Sequence, residues 1–541
     1  MTVNYLPNGV VIMKDNVTRF LNSGKSVLGI ELGSTRIKAV LIDEKYQPVA
    51  KGTYDWENSL VNGIWTYSLD EVIKGVQGCY ASLKADVKEK YGETLKRVDG
   101  IGISAMMHGY LAFDENGEQS AEFRTWRNTN TGAAAEELTD LLDFNMPLRW
   151  SAAHLYQAVL DREEHTGRIR YMTTLAGYVH CLLTGENVLG IGDAAGMFPI
   201  DSETGDYDIK KAELFNEKLK EKGFNRKLKD IFPKVLRAGE YAGKLTEKGA
   251  LLLDPDGDLE PGAVFCPPEG DAGTGMIATN SITARTGNVS AGTSVFAMVV
   301  LEKPLSAVYP EIDMVTTPDG KPVAMVHCNN CTSDINAWAD IFKEFAESVG
   351  ITLTRGQALD KMFELAGKGA PDCGGTVTYN YFSGEPVTGL EKGMPMVLRK
   401  SDAVFSAENF MRSNLYSAMA ALKIGMDILL KKENVKIDSL LGHGGFFKAE
   451  KVGQEILAAA VDTKVSVMKT ASEGGAYGIA LLAAYMADNK ISLDDFAAKV
   501  FKETEIMTVN PDEANVKGFE EYMKMYKKGL KAEKTAVEEI L

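Results

Sequence analysis

The sequence predicts an α/β protein with two domains, and three features lead to that prediction. The chain has 541 residues, which is more than one ordinary hydrophobic core accommodates. A strand, a turn of small residues and a second strand follow one another at 27–42, and the same order returns at 285–301. Amphipathic helical stretches come after each of these hairpins. We therefore expect two domains that each begin with a β-hairpin.

The first hairpin belongs to a three-stranded antiparallel meander. Predicted strands cover Val27–Leu32, Ile37–Asp43 and Gln47–Gly52, and the joining segments are far shorter than the roughly dozen residues that a parallel crossover needs. The turn Gly33–Thr35 therefore leads into a strand. A Walker loop or a dinucleotide fingerprint would open a helix there, so neither fits. Apolar residues at helical spacing then predict a helix over Leu69–Tyr91.

The second half of the chain is richer in helix. The segment RTGNVSAGTSVFAMVVL at 285–301 repeats the strand–turn–strand order, with its turn at Gly292–Ser294. A helical stripe of Leu and Met runs through Phe410–Leu430. A strand runs into a glycine-rich turn at 439–447, and a glycine-rich turn enters an apolar helix at 473–487.

Composition and charge limit the classes of function. The net charge is −16, which argues against broad binding of nucleic acids or anionic membranes but leaves room for a local phosphate site. Six cysteines spread over the chain form no disulfide framework, and the lone CxxC pair at 328–331 lacks a second ligand pair for zinc. The N-terminus has no secretory signal and no segment reads as a membrane span, so we expect a cytoplasmic protein.

Two small-residue turns and one acid predict a phosphate site. Successive backbone N–H groups in such turns form a concave anion site, and the turns occur at Gly33–Thr35 and Gly292–Ser294. Glu31 interrupts an apolar strand directly before the first turn, where a carboxylate suits a Mg²⁺ ion that keeps several waters. Either turn alone also fits an ordinary hairpin, and Glu31 alone also fits a solvated strand residue.

Two further segments carry candidate catalytic and binding residues. In CPPEGDAGTGM at 266–276, Asp271 lies on a glycine-flanked loop that enters a helix; this position suits either a ligand-facing acid or a helix N-cap. In ISAMMHG at 103–109, a strand predicted over Val98–Ser104 ends at Met-Met-His-Gly, and strand ends of α/β folds are common ligand sites. His108 fits either a ligand contact or a structural histidine.

Taken in order, these segments resemble the FGGY carbohydrate kinases, the sugar-kinase branch of the actin-like ATPase superfamily, over about Val27–Ala487. GIELGSTRIKAV and GNVSAGTSVF resemble the two phosphate motifs of that family, and EGDAGTGM resembles the segment that carries its catalytic aspartate. ISAMMHG and TGENVLGIGDAAGMFPID are similar to its sugar-binding segments, and GHGGFF with EGGAYGIALLA to its adenosine-site segments. Each motif alone is weak, whereas their shared order makes the resemblance specific.

The resemblance implies an ATP-dependent sugar kinase with two actin-like (ribonuclease H-like) ATPase domains and a cleft between them. It implies ATP and Mg²⁺ as cofactors, a small-molecule sugar as the substrate, and a homodimer by family habit. The implied domain limits are an N-terminal extension at 1–25, a sugar-binding domain at 26–284, a nucleotide-binding domain at 285–490 and a helical tail at 491–541.

The resemblance also implies a role for each candidate residue. Asp271 would take the proton of the attacking hydroxyl, and Glu31 together with Asp271 would hold Mg²⁺. The implied phosphate contacts are Gly33, Ser34, Thr35, Gly292, Thr293 and Ser294. The implied nucleoside contacts are Gly444, Gly445 and Ala476, and the implied sugar contacts are Met107, His108 and Asp193.

Three departures from the family pattern leave the substrate open. Glu31 stands where the family usually has Asp, and the adenosine segment has His443 and Phe446–Phe447 where small residues or Lys are commoner. The segment TWRNTNTG at 125–132 places Asn128 and Asn130 where the family has a charged pair. The Met-His-Gly segment favours a ketopentose; we expect L-ribulose, with D-xylulose as the alternative. A polymerising actin-like ATPase and a catalytically silent sugar sensor are the rival classes.

Overall fold

The computed structural model of the chain divides into two compact units. It describes residues 3–5, 11–13, 20–21, 23, 25–449, 451–468 and 474–541. Unit 1 comprises Met1–Ile282, Met314–Pro322 and Glu473–Glu503, and unit 2 comprises Thr283–Asp313, Val323–Ser472 and Thr504–Leu541. More than half of the predicted N-terminal extension at 1–25 lies outside the described residues.

Unit 1 is built on a mixed six-stranded sheet. Its strands follow the order Val264–Phe265, Gly100–Ala105, Val27–Leu32, Arg36–Ile42 and Pro48–Asp55, and the short strand Glu269–Gly270 also pairs with Gly100–Ala105. The strands between 27 and 55 are antiparallel, whereas Val27–Leu32, which we call the first strand, is parallel to Gly100–Ala105. The predicted meander is thus confirmed. The parallel register brings the ends of three strands together at one edge of the sheet.

The other strands of unit 1 are short and pair two by two. They are Val3–Tyr5, Val11–Met13, Ser59–Val61, Ile64–Thr66, Leu111–Phe113, Tyr171–Thr173, Val188–Gly190, Ile200–Asp201, Asp206–Tyr207 and Lys234–Leu236. The α-helices are Leu69–Tyr91, Gly132–Leu142, Ser151–Leu160, Leu175–Thr184, Ile191–Ala194, Ile209–Glu221, Leu228–Ile231, Glu247–Leu253, Asp271–Ala278, Gly474–Tyr485 and Leu493–Phe501. We call Asp271–Ala278 the acid helix and Gly474–Tyr485 the returning helix.

The helix predicted over Leu69–Tyr91 is confirmed at those limits. The Ser68 side chain accepts the N–H of Glu71 and caps the first turn, and Gly92 ends the helix in the left-handed conformation with φ of 76°. These signals are local in sequence, which is why the pattern located both ends.

The returning helix packs directly on the first strand and on the acid helix. A Cβ on Gly29 would overlap the carbonyl oxygen of Ala476, and a Cβ on Gly478 would overlap the carbonyl oxygen of Thr274. Glycine at these two positions therefore lets backbone meet backbone. The first turn of the returning helix is held against the first strand as a result.

Unit 2 is built on a second mixed sheet. Six of its strands follow the order Pro322–Cys328, Val295–Val300, Thr286–Ala291, Ser439–His443, Val465–Met468 and Ile506–Val509. The first three of these are antiparallel neighbours, which confirms the hairpin predicted at 285–301. Thr286–Ala291 and Ser439–His443 are parallel. Thr376–Tyr379 pairs with Met396–Arg399. Asp313–Thr316 is a further strand, which begins in unit 2 at Asp313 and continues in unit 1.

The helices of unit 2 include the stretch predicted from its Leu and Met stripe. They are Ser333–Ser348, Arg355–Lys368, Ala407–Asp427, Val452–Val461 and Glu513–Ile540, with a π-turn at Ile428–Lys432 and 3₁₀ turns at Cys373–Gly375, Pro386–Thr388 and Gly445–Phe447. The helix Glu513–Ile540, in the segment predicted as a helical tail, buries Tyr522 and Tyr526. None of the described helices is both long and apolar enough to cross a membrane.

Replacing Gly478 by Ala is expected to destabilise unit 1. The added Cβ would overlap the Thr274 carbonyl oxygen, which is main chain and cannot turn aside, so the free energy of unfolding should fall by about 3 kcal/mol. Urea unfolding followed by circular dichroism measures the loss. Gly132→Ala is the matched control, because a Cβ there meets nothing within 4 Å and Ala is the better helix former. Equal stability of the two variants would contradict the close backbone approach.

Candidate active site

Glu31 lies near the end of the first strand and faces the returning helix. Its carboxylate accepts the backbone N–H of Ala476 at 3.2 Å, and Lys38 is its partner across the hairpin. A Cβ on Gly475 would overlap this carboxylate, so glycine lets the first turn of the helix reach the acid. Burial raises the pKa of Glu31, whereas Lys38 and the N–H groups of Ala476 and Gly475 lower it. The net shift of the Glu31 pKa is upward, so Lys38 and the N–H groups offset only part of the cost of burying the negative charge.

Asp271 is the first residue of the acid helix and follows the strand Glu269–Gly270. The N-cap of the helix is Gly270, so Asp271 does not cap it. Its Oδ1 accepts the N–H of Met107 at 3.4 Å. The side chain keeps access to solvent on one side, yet burial by the surrounding protein raises its pKa to about 7, and nearby Glu31 raises it too. A carboxyl group of this kind can take a proton from a bound alcohol.

Met107 and His108 follow the strand Gly100–Ala105, and both are buried. Met107 contacts the acid through its backbone N–H. His108 has left-handed backbone geometry with φ of 70°. Its Nδ1 lies 3.3 Å from the carbonyl oxygen of Gly196, and its ring stacks on Trp150. The His108 ring is therefore packed within unit 1.

Asp193 lies in the one-turn helix Ile191–Ala194 and is fully buried. The Thr174 hydroxyl donates to its Oδ2 at 2.6 Å, and Oδ1 has no hydrogen-bond partner in the described part of the chain. Burial raises the pKa of Asp193 to about 7; the Thr174 hydrogen bond lowers it, and the charge of Asp271 raises it further. A Cβ on Gly270, the residue before Asp271, would lie 3.3 Å from Oδ1 of Asp193, so Asp193 lies beside the segment that carries Asp271.

Glu269 joins this group of acids, although the sequence analysis assigned it no role. The residue is fully buried and lies two positions before Asp271. Burial raises its pKa to about 8 and Asp193 raises it further, while the N–H groups of Gly192, Asp193 and Gly270 lower it. The available signal was an acid between Pro268 and Gly270, inside the segment EGDAGTGM. The motif assigned a role to Asp271 alone, so only the fold revealed the neighbours of Glu269.

The first small-residue turn is held by two aromatic side chains. Trp56 Nε1 donates to the Gly33 carbonyl at 2.7 Å, and the Tyr67 hydroxyl donates to the Ser34 carbonyl at 2.6 Å. The two rings stack with centroids 4.2 Å apart. The carbonyl groups of the turn therefore point toward the aromatic pair, while the side chains of Ser34 and Thr35 are exposed to solvent.

In unit 2, the second small-residue turn lies beside the glycines of the GHGGFF segment. The Gly292 carbonyl accepts the Thr332 hydroxyl at 2.7 Å, which anchors the turn. Gly444 has φ of 100°, and a Cβ there would overlap the Ala291 carbonyl oxygen. Because the strands that precede these segments are parallel neighbours, the turn Gly292–Ser294 and the glycine pair meet at one end of the sheet.

Asn128, a departure from the family pattern, has a structural role. Its Oδ1 accepts the N–H of Trp65 at 2.9 Å, and its Nδ2 donates to the Trp65 carbonyl at 2.8 Å. An aspartate could not make both bonds, because a carboxylate has no N–H to donate. Asn130 is exposed. Asn128 therefore fixes the main chain of the strand Ile64–Thr66.

Phe446 and Phe447 are core residues of unit 2. Their exposed fractions are 0% and 6%. The Phe446 ring packs edge-on against Phe363, with centroids 5.5 Å apart, and the Phe447 ring lies under Gly442. Their size in this segment is thus explained by packing within unit 2.

The structure divides the predicted site residues between the two units. Within unit 1 it brings together Glu31, Asp271 and Met107. Ala476 also lies in unit 1, whereas Gly444–Gly445, predicted to share its nucleoside role, lies in unit 2. The Ala476 side chain is fully buried, and its backbone N–H binds Glu31.

Comparison with known proteins places two family domains along the chain. Residues 26–254 match the N-terminal domain of the FGGY family of carbohydrate kinases, and residues 287–487 match the C-terminal domain of the same family. A xylulose kinase of Haemophilus influenzae is 22% identical over 464 residues, which cover 83% of this chain and 89% of that protein. A gluconokinase of Bacillus subtilis is 22% identical over 504 residues, which cover 89% of this chain and 92% of that protein.

The fold is shared with solved structures. The xylulose kinase from Lactobacillus acidophilus matches with a TM-score of 0.77 at 15% identity, over 94% of this chain and 98% of that one. A likeness at this identity concerns the fold alone. It confirms the predicted α/β class with two actin-like ATPase domains.

Asp193→Asn is expected to change how stability depends on pH. Burial in the folded state raises the Asp193 pKa from 3.8 to about 7, so protonation favours folding. The stability that the folded state gains from this protonation is complete below about pH 4 and is lost as the pH rises through about 7. The gap of about 3 pKa units corresponds to at most about 4 kcal/mol. Thermal unfolding across this pH range should show a smaller loss in the variant than in the wild type. Parallel curves would contradict the burial of this carboxyl group.

Proposed function

The chain belongs to the FGGY family of carbohydrate kinases, and from that premise we propose that it transfers the terminal phosphoryl group of ATP to a hydroxyl of D-xylulose. Relatives named xylulose kinase support this ketopentose. The expected substrate L-ribulose finds no support in those names, so the alternative takes its place. Gluconate is a second candidate, because one relative is a gluconokinase.

One contact carries the proposal: the Met107 N–H donates to the carboxylate of Asp271 at 3.4 Å. It joins the proposed base to the proposed sugar segment within unit 1. A sugar hydroxyl beside Asp271 would lie against Met107 and His108, with Asp193 as a further polar contact. Asp271 would accept the hydroxyl proton as the oxygen attacks phosphorus, and its pKa of about 7 suits proton transfer near neutral pH.

We propose that both small-residue turns contact the phosphates of ATP. The exposed hydroxyls of the first turn and the anchored glycine turn of the second support this assignment. The proposed phosphate contacts are Gly33, Ser34, Thr35, Gly292, Thr293 and Ser294. The proposed nucleoside contacts are Gly444 and Gly445, with Ala476 contributing only backbone.

Glu31 and Asp271 fit a Mg²⁺ ion. Both are acids whose pKa burial raises, and the charge of Glu31 also acts on Asp271. A Mg²⁺ ion takes one or two carboxylates and fills the rest of its shell with water and phosphate oxygens, so these two acids are enough to hold it. When bound, Mg²⁺ supplies positive charge that offsets the charge on the transferring phosphoryl group.

We propose that sugar binding belongs to residues 26–284, nucleotide binding to 285–490, and a helical tail to 491–541. The two family-domain matches, at 26–254 and 287–487, support the boundary between the first two. Family membership and the contacts around Asp271 favour a kinase over a polymerising ATPase or a catalytically silent sugar sensor.

A coupled ADP-release assay over D-xylulose, L-ribulose, gluconate and glycerol tests the proposed reaction. We expect the highest kcat/KM with D-xylulose. Asp271→Asn should lower kcat by at least about 100-fold, because the amide cannot accept the proton, while its circular dichroism spectrum stays that of the wild type. ADP release that no sugar stimulates would contradict the kinase. Near-normal turnover by the variant would remove Asp271 as the base.

Glu31→Gln is expected to raise the Mg²⁺ concentration for half-maximal activity by about tenfold, since the amide keeps the shape but loses the charge. A Mg²⁺ titration at saturating ATP and sugar measures it. Glu44→Gln is the matched control, because Glu44 is an exposed acid of the same meander. Identical titrations for both variants would exclude Glu31 as a metal anchor.

A further inference from the structure

Glu269 lies two residues before the proposed base and takes no part in the chemistry described above. It belongs to the short strand that pairs in parallel with Gly100–Ala105, and its side chain is 1% exposed. A carboxyl group buried this deeply is costly unless hydrogen-bond donors surround it. The donors around Glu269 therefore identify its role.

Both carboxyl oxygens of Glu269 accept N–H groups from one backbone turn. Oε1 accepts the N–H of Gly192 at 3.2 Å, and Oε2 accepts that of Asp193 at 2.9 Å. A Cβ on Gly192 would lie 2.5 Å from Oε2, and one on Gly190 would overlap the carboxyl group. Two glycines thus make room for the acid, and the acid fixes the turn that carries Asp193.

The fixed turn leaves one oxygen of Asp193 without a donor. Oδ2 accepts the Thr174 hydroxyl at 2.6 Å, whereas Oδ1 is buried and unpartnered within the described ranges. A Cβ on Gly270 would lie 3.3 Å from Oδ1, so this oxygen faces the residue next to Asp271. Buried polar atoms are seldom left unpaired. A sugar hydroxyl is the donor that the proposed function supplies.

A glutamate suits the two N–H groups better than other side chains. Gln has a single acceptor oxygen, because an amide nitrogen accepts no hydrogen bond, whereas both oxygens of a carboxyl group can accept one even when it is protonated; Ala would leave both N–H groups buried without an acceptor. A released N–H of Gly192 or Asp193 could then bond to the Asp193 carboxylate itself. That bond would take up the oxygen that faces the sugar.

We propose that Glu269 is a positioning residue of the sugar site, which holds the turn Gly190–Asp193 so that Oδ1 of Asp193 stays available to a sugar hydroxyl. This inference rests on the proposed function, because it assumes that a sugar binds beside Asp193 and Asp271. Glu269 does not touch the sugar itself; it acts through Asp193.

Steady-state kinetics of Glu269→Gln, with D-xylulose and ATP varied separately, test the inference. We expect the KM for D-xylulose to rise about tenfold or more, while kcat and the KM for ATP change less than about threefold. Glu533→Gln is the matched control, since Glu533 is also fully buried and accepts a backbone N–H, from Met394 at 2.9 Å. It should leave all three constants within about twofold of the wild type.

A double-variant cycle separates positioning from general damage. Because Glu269 acts through Asp193, adding Glu269→Gln to Asp193→Asn should change the KM for D-xylulose by less than about twofold. If Glu269→Gln does not fold, Gly192→Ala displaces the same carboxyl group from the other side and should give the same rise in KM.

An unchanged sugar KM in folded Glu269→Gln or Gly192→Ala would overturn the inference, and so would fully additive effects in the double variant. The proposed function would stand in those cases, because the wild type would still phosphorylate D-xylulose. A wild type that phosphorylates no sugar would overturn both.

Discussion

The close approach of the returning helix to the first strand is the constraint on which the site depends. Gly29 lets the two backbones meet, and Gly478 does the same between the returning helix and the acid helix. The contact delivers the N–H of Ala476 to Glu31 across 445 positions of sequence. The packing of the returning helix also positions the acid helix, whose first residue is Asp271. A side chain at either glycine would push apart the elements that hold the two acids.

Electrostatics follow from this packing. Unit 1 gathers the acids Glu31, Asp193, Glu269 and Asp271, and burial raises the pKa of each. Hydrogen bonds oppose the shift at each acid, from backbone N–H groups at Glu31, Glu269 and Asp271 and from the Thr174 hydroxyl at Asp193, but they do not cancel it, so desolvation is the larger effect. Such a group of acids is stabilised when a cation and hydroxyl donors arrive. The proposed Mg²⁺ ion would be the cation, and the proposed sugar would supply the hydroxyl donors. Both would bind beside Asp271, the proposed base.

Much of the fold and part of the site could be predicted from local sequence. A continuous apolar run before a turn located Val27–Leu32, and helical spacing located Leu69–Tyr91, because turns, caps and stops are set by near neighbours. Asp271 stood out through its flanking glycine and prolines. The same reading could not explain Asn128 or Phe447, whose partners are the main chain of Trp65 and the core of unit 2. Their departures from the family pattern are matters of packing.

Local sequence patterns predict the two hairpins, the order of the motifs and the role of Asp271. That Ala476 binds Glu31, and that Glu269 supports the turn of Asp193, is seen only in the folded chain. Each of these contacts joins segments that are distant in sequence. The donor in each is a backbone N–H group, and a pattern of side chains does not show which N–H groups are free to donate. The role of a residue can be predicted when its surroundings consist of residues that are near it in sequence. When its surroundings come from distant parts of the chain, the role is known only once the fold is known.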